Sequence, residues 1–172
     1  LSSDRAGIAF RKSIGLIGTI RALEVTHGEN GFHPHFHVLY FIKPESQATP
    51  MEVEFGLCGI WQKACVKVDL PMPDGRHGCR VDDGSWAAAY CSKWGLESEM
   101  TKGHTKTSKG KNGRSMWDLL RSVLADKSDK QSAAIFITYA KAFHGRRQLY
   151  WSNGLRKLLA VVEKSEDRKS TR

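Results

Sequence analysis

The chain of 172 residues is 40% hydrophobic and 26% charged, a globular composition that excludes a low-complexity or collagen-like polypeptide. Its 27 Lys and Arg against 18 Asp and Glu leave a formal net charge of +9, which points to a polyanionic partner, nucleic acid first. No apolar run approaches the ~20 residues of a membrane span, and Cys58, Cys65, Cys79 and Cys91 show no CxxC spacing, so neither a zinc finger nor a disulfide framework is supported. Reduced thiols in a cytoplasmic setting are the expectation. The polar start, Leu1-Ser2-Ser3-Asp4-Arg5, has no signal-peptide pattern and no initiator methionine, so the chain reads as a fragment lacking its N-terminal part.

Residues 16–27, rich in Ile, Leu, Val and Thr, predict a strand, and Gly28-Glu29-Asn30-Gly31 a tight turn. Residues 33–42 predict a second strand stopped by Pro44, and 45–68 a helix with Phe55, Leu57, Ile60, Trp61 and Ala64 along one stripe. A loop at 71–75 leads to a short strand at 78–82, then a helix over 85–100 with Ser85 as N-cap. Residues 102–114, rich in Lys, Gly and Ser, read as a basic loop. Amphipathic helices are expected over 115–125 and 130–143, with a last one near 152–162 and a disordered charged tail. The layout is α+β, an antiparallel sheet core followed by helices.

The sharpest feature is Phe32-His33-Pro34-His35-Phe36-His37-Val38-Leu39, three histidines alternating along one strand and therefore sharing a face. Glu24 lies on the preceding strand. If Asn30 and Gly31 centre the turn, Glu24 faces His37; if Gly28 pairs with Gly31, it faces His35. Either register puts Glu24 on the face of His35 and His37, because cross-strand partners share a face. His33 shares that face but sits nearest the turn, and His27 points the other way. Two imidazoles and a carboxylate suit a divalent ion with open positions, Mg2+ or Mn2+ acting on a phosphate, though zinc also takes such ligands. Incidental histidines on a surface strand are the alternative.

On the expected helix over 85–100, Tyr90 and Lys93 are three apart and thus neighbours. A tyrosine hydroxyl becomes a useful nucleophile when a nearby ammonium or a polarised phosphate assists it. Tyr40 points away from the histidine face, and Tyr139 and Tyr150 fall among the C-terminal helices, so Tyr90 is the candidate nucleophile.

Together these residues resemble the HUH endonuclease superfamily, in particular the rolling-circle replication initiators of plasmids and related elements. Arg21-Ala22-Leu23-Glu24-Val25-Thr26-His27-Gly28 and the histidine stretch that follows resemble that family's acidic strand and histidine motif in order and spacing. Ala89-Tyr90-Cys91-Ser92-Lys93-Trp94 resembles its tyrosine motif, and residues 95–102 and 145–152 resemble stretches of bacterial members. The resemblance implies a ferredoxin-like antiparallel sheet with the tyrosine helix over one face. It implies an HUH core over 1–101 and a basic loop and helical extension over 102–172, packed as a single unit. It also implies a mechanism: His35, His37 and Glu24 hold the metal, Tyr90 attacks an origin phosphodiester in single-stranded DNA, and Lys93 assists. The tyrosine keeps the 5′ phosphate and the free 3′ hydroxyl primes host polymerase, with a host helicase as a further partner.

The chain departs from the family where plasmid members often carry a glutamate four residues before the tyrosine; here that residue is Trp86, and Glu97 or Asp83 are the substitutes to consider. Lys102, Lys106, Lys109, Lys111 and Arg114 in the basic loop, and Arg146 and Arg147 beside Trp151, are candidate DNA contacts, since cations with nearby aromatics suit a single strand. The competing readings are a single-tyrosine HUH transposase, a catalytically silent DNA-binding module and an unrelated zinc hydrolase.

Overall fold

The computed structural model describes residues 5–86 and 113–160. Helix α1 (Arg5–Ser13) leads through Gly15 into strand β1 (Leu16–Gly28), and the chain returns antiparallel as β2 (Gly31–Ile42). Glu29 and Asn30 are the two central turn residues, and Gly31 takes the left-handed backbone, φ +88°, that closes it. Of the two registers open from sequence, the one pairing Gly28 with Gly31 is adopted.

Helix α2 (Pro50–Lys67) starts later than the sequence pattern predicts. Pro50 disfavours helical backbone at Thr49, which stays extended and becomes the N-cap. The Thr49 hydroxyl accepts from the Glu52 N–H at 3.3 Å, and the Glu52 carboxylate accepts from the Thr49 N–H at 2.8 Å. Val53 and Leu57 on this helix pack with Ile14 into a core bordered by Phe10, Leu16, Tyr40, Cys79 and Val81. A methyl group added at Gly56 would overlap the Phe10 ring, so this glycine permits the close approach of α1 to α2. Cys58, Cys65 and Cys79 are free thiols.

Residues 78–82 do not form the expected strand. Val81 donates its N–H to the Glu54 carboxylate of α2 at 2.7 Å, so a side chain takes the place of a neighbouring strand. Residues 84–86 form a 3-10 turn, Gly84–Trp86, and the rest of the helix expected over 85–100 lies outside the described residues.

The chain after 113 returns to the same sheet. Strand β3 (Arg114–Ser115) pairs with Thr26 and His27, and β4 (Leu149–Trp151) pairs with Ile20 to Ala22, both antiparallel and both on the edge of β1 away from β2. Between them run α3 (Met116–Ala125) and α4 (Lys130–Phe143), and the short α5 (Leu155–Leu158) follows. The sequence pattern placed β4 within a helical region. Three residues carry too little alternation to announce a strand, and their pairing with β1 decides it. Among the described residues the sheet is thus antiparallel with four strands, and the fold is α+β. Among the described residues no helix is long and apolar enough to cross a membrane.

Candidate functional site

Strand β1 supplies the carboxylate and β2 the imidazoles. The register pairs Thr26 with His33, Glu24 with His35 and Ala22 with His37, so all three histidines and Glu24 share one face of the sheet. His27 pairs with Phe32 on the opposite face, their rings edge-on at 5.0 Å. The two-residue turn sets this parity. A loop longer or shorter by one residue would have sent Glu24 to the other side.

Glu24 stands across from His35, yet its Oε2 lies 3.1 Å from His37 Nε2, reaching diagonally over the small Ala22. The His33 and His35 rings meet edge-on at 4.5 Å, and those of His35 and His37 are 6.3 Å apart. Partial burial, then the neighbouring His33, lower the His35 pKa, against the opposing pull of Glu24 and with a further push from His37. His35 is therefore a neutral imidazole at pH 7, the form that donates a lone pair. The side chains of His37 and Glu24 are 37% and 56% exposed, which leaves the cluster open to a substrate from solvent.

Imidazole and carboxylate donors fit a divalent cation, and a neutral His35 needs no deprotonation to bind it. Among the described residues, however, no three His, Cys, Asp or Glu side chains are gathered into a metal-holding group. Glu24 is turned onto His37, so joint ligation by Glu24, His35 and His37 requires side-chain rotation.

Tyr90 and Lys93 lie outside the described residues, as do Glu97, Lys102, Lys106, Lys109 and Lys111. Asp83 is described, and its carboxylate accepts from the Ser85 hydroxyl and from the Ser85 N–H, the latter at 3.0 Å. Those two bonds hold its pKa below the ordinary value, which makes it a weaker base and argues against a proton-accepting role.

Arg114 stands in β3 rather than in a loop, and its guanidinium donates to the Ser122 hydroxyl on α3. Arg146 and Arg147 follow α4 and line a recess of about 340 Å3 with Arg21, Leu23, Phe36, Ala142, Phe143 and Tyr150. Arg21 pairs with Val38 on β2 and with Tyr150 on β4, which places this recess on the face opposite the histidines. Arg21, Phe36 and Tyr150 were not read as ligand contacts from sequence, where Tyr150 was weighed only as a nucleophile. The parity of β1 assigned Arg21 to that face, but only the return of β4 brings Tyr150 beside it.

The chain is 30% identical to a Streptomyces lividans protein called Protein rep, over an alignment of 200 positions that takes in 93% of this chain and 43% of that protein. It therefore spans less than half the length of this relative. No protein-family profile matches the chain, and no solved structure does.

Proposed function

We propose that the chain is the nicking domain of a replication initiator, an HUH-type endonuclease that cleaves single-stranded origin DNA with Tyr90. The observation that carries this reading is the register that sets Glu24 opposite His35 on the face shared with His37. The similarity to a protein named Protein rep supports the replication role, and the net charge of +9 supports a DNA substrate.

In this reading the Tyr90 hydroxyl oxygen attacks the scissile phosphorus, the bond from phosphorus to the 3′ oxygen breaks, and the proton passes to that oxygen. The products are a 5′-phosphotyrosine link and a strand ending in a 3′ hydroxyl, which host polymerase extends. Lys93, three residues after Tyr90 in the sequence, would stabilise negative charge on the phosphate. Bound Mg2+ or Mn2+ would supply Lewis-acid polarisation of the phosphate oxygens, held by His35, His37 and Glu24. The lowered His35 pKa and the solvent-facing carboxylate favour that role.

The test is incubation of wild type and Tyr90→Phe with a mixed pool of single-stranded oligonucleotides and Mn2+, followed by a denaturing gel. A slower, chelator-sensitive protein band is expected for wild type and is absent from the variant, which still binds the DNA. Adducts that persist in Tyr90→Phe would remove the nucleophile assignment, and DNA binding without any adduct would favour a silent binding module.

A further inference from the structure

We infer that the arginine and aromatic recess opposite the histidine face binds unstacked nucleotides of single-stranded DNA, as a second anchoring site apart from the scissile segment. The choice of ligand rests on the nicking reading above; the site itself is drawn from the recess. Strands β2, β1 and β4 set Phe36, Arg21 and Tyr150 side by side on one face. The Arg21 guanidinium lies over both rings, 5.0 Å from the Phe36 centroid and 5.5 Å from that of Tyr150, so the three side chains form one contiguous aromatic–guanidinium cluster. The two rings remain 42% and 39% exposed, so this surface is open to a ligand. Trp61 of α2 braces Phe36 from the side, its ring edge-on at 6.1 Å.

Arg146 and Arg147 form a wall after the turn that ends α4, where Gly145 at φ +68° reverses the chain and the Arg146 N–H donates to the Phe143 carbonyl at 2.9 Å. The recess thus holds three arginines, and the described residues that line it include no carboxylate. None of the three guanidiniums forms an ion pair among the described residues. Unneutralised guanidiniums select phosphates, and an aromatic–guanidinium platform selects flat, unsaturated rings. A single strand offers both at once, whereas a duplex keeps its base faces stacked inside. A recess of about 340 Å3 is small, the size for a nucleotide or two.

The experiment measures anisotropy of fluorescein-labelled oligo-dT on the full chain in EDTA, where cleavage plays no part. The triple variant Arg21→Gln, Arg146→Gln, Arg147→Gln should bind about tenfold more weakly, with a salt slope smaller in magnitude by about 2. Tyr150→Leu, with its urea midpoint checked against wild type, should lose about tenfold while Tyr150→Phe stays near wild type, which assigns the loss to the ring rather than the hydroxyl. Affinity within about twofold of wild type in the triple variant would overturn the site. An equal loss on duplex DNA would overturn the single-strand assignment, and competition by poly-glutamate as effective as by oligo-dT would assign the recess to acidic protein instead. Nicking is read separately: normal oligo-dT binding by the variants with adducts still formed sinks this inference alone, and a recess effect without any adduct sinks the nicking reading alone.

Discussion

On β2 the fold lowers the proton affinity of His35. Burial lowers its pKa most, His33 adds to that, Glu24 opposes and His37 adds a smaller push. The folded state therefore binds fewer protons at His35 than the unfolded chain does. Its stability contribution is present above the ordinary value of 6.5 and is lost as pH falls from there through the folded pKa. An NMR titration of metal-free protein should place the His35 midpoint below 6.5, and Glu24→Gln should move it lower still, because the raising charge is gone. A midpoint at or above 6.5 would contradict the packing of His35 against its neighbours.

At the scale of elements, β1 is the hub, since β2, β3 and β4 all pair with it. The junction of β3 with α3 depends on Ser115, the N-cap of that helix. Its hydroxyl accepts from the Asp118 N–H at 3.2 Å, and the Asp118 carboxylate accepts from the Ser115 N–H at 2.8 Å. Burial alone would raise the Asp118 pKa, but the hydrogen bonds from Ser115 and Arg121 outweigh it and push the value down to about 2. That stabilisation is complete above about 3.8 and is lost as pH falls from there toward about 2. Ser115→Ala should cost about 1 kcal/mol in urea unfolding at pH 7, with a smaller penalty at pH 2 to 3, where Asp118 is being protonated. An equal penalty at both pH values would show that Asp118 does not act through the cap.

For the whole molecule, segments far apart in sequence share one sheet. The Ser152 N–H donates to the Thr19 carbonyl and the Ser152 hydroxyl accepts from the Thr19 N–H, each at 2.9 Å. Leu155 just beyond is 2% exposed and Leu119 on α3 is fully buried. Side chains added at Gly18 would run into Ser152 and Leu155, so the C-terminal segment lies directly on β1. Leu119→Ala should cost about 2 to 5 kcal/mol through the cavity it leaves. Because β3 and β4 are stitched to the strand that carries Glu24, the loss should be felt by the hairpin as well. The His35 resonances should disappear at the same denaturant midpoint as signals from α3 and α4, and two separate midpoints would show that the parts unfold independently.

By itself the sequence determined the features that depend on near neighbours. Alternation along residues 33–37 and a two-residue turn were enough to put Glu24, His35 and His37 on one face, because strand parity is a local property. Helices α3 and α4 were legible from their periodicity within a residue at either end. What required the tertiary structure was everything made by contact between distant segments. The turn residues chose between the two hairpin registers and side-chain placement gave the diagonal reach of Glu24 to His37, while the strand character of residues 149–151 and the pairing of Arg21 with Tyr150 depend on which later segment meets the edge of β1 away from β2. Such pairings release little energy residue by residue, and they form only where the rest of the fold has brought the strands together.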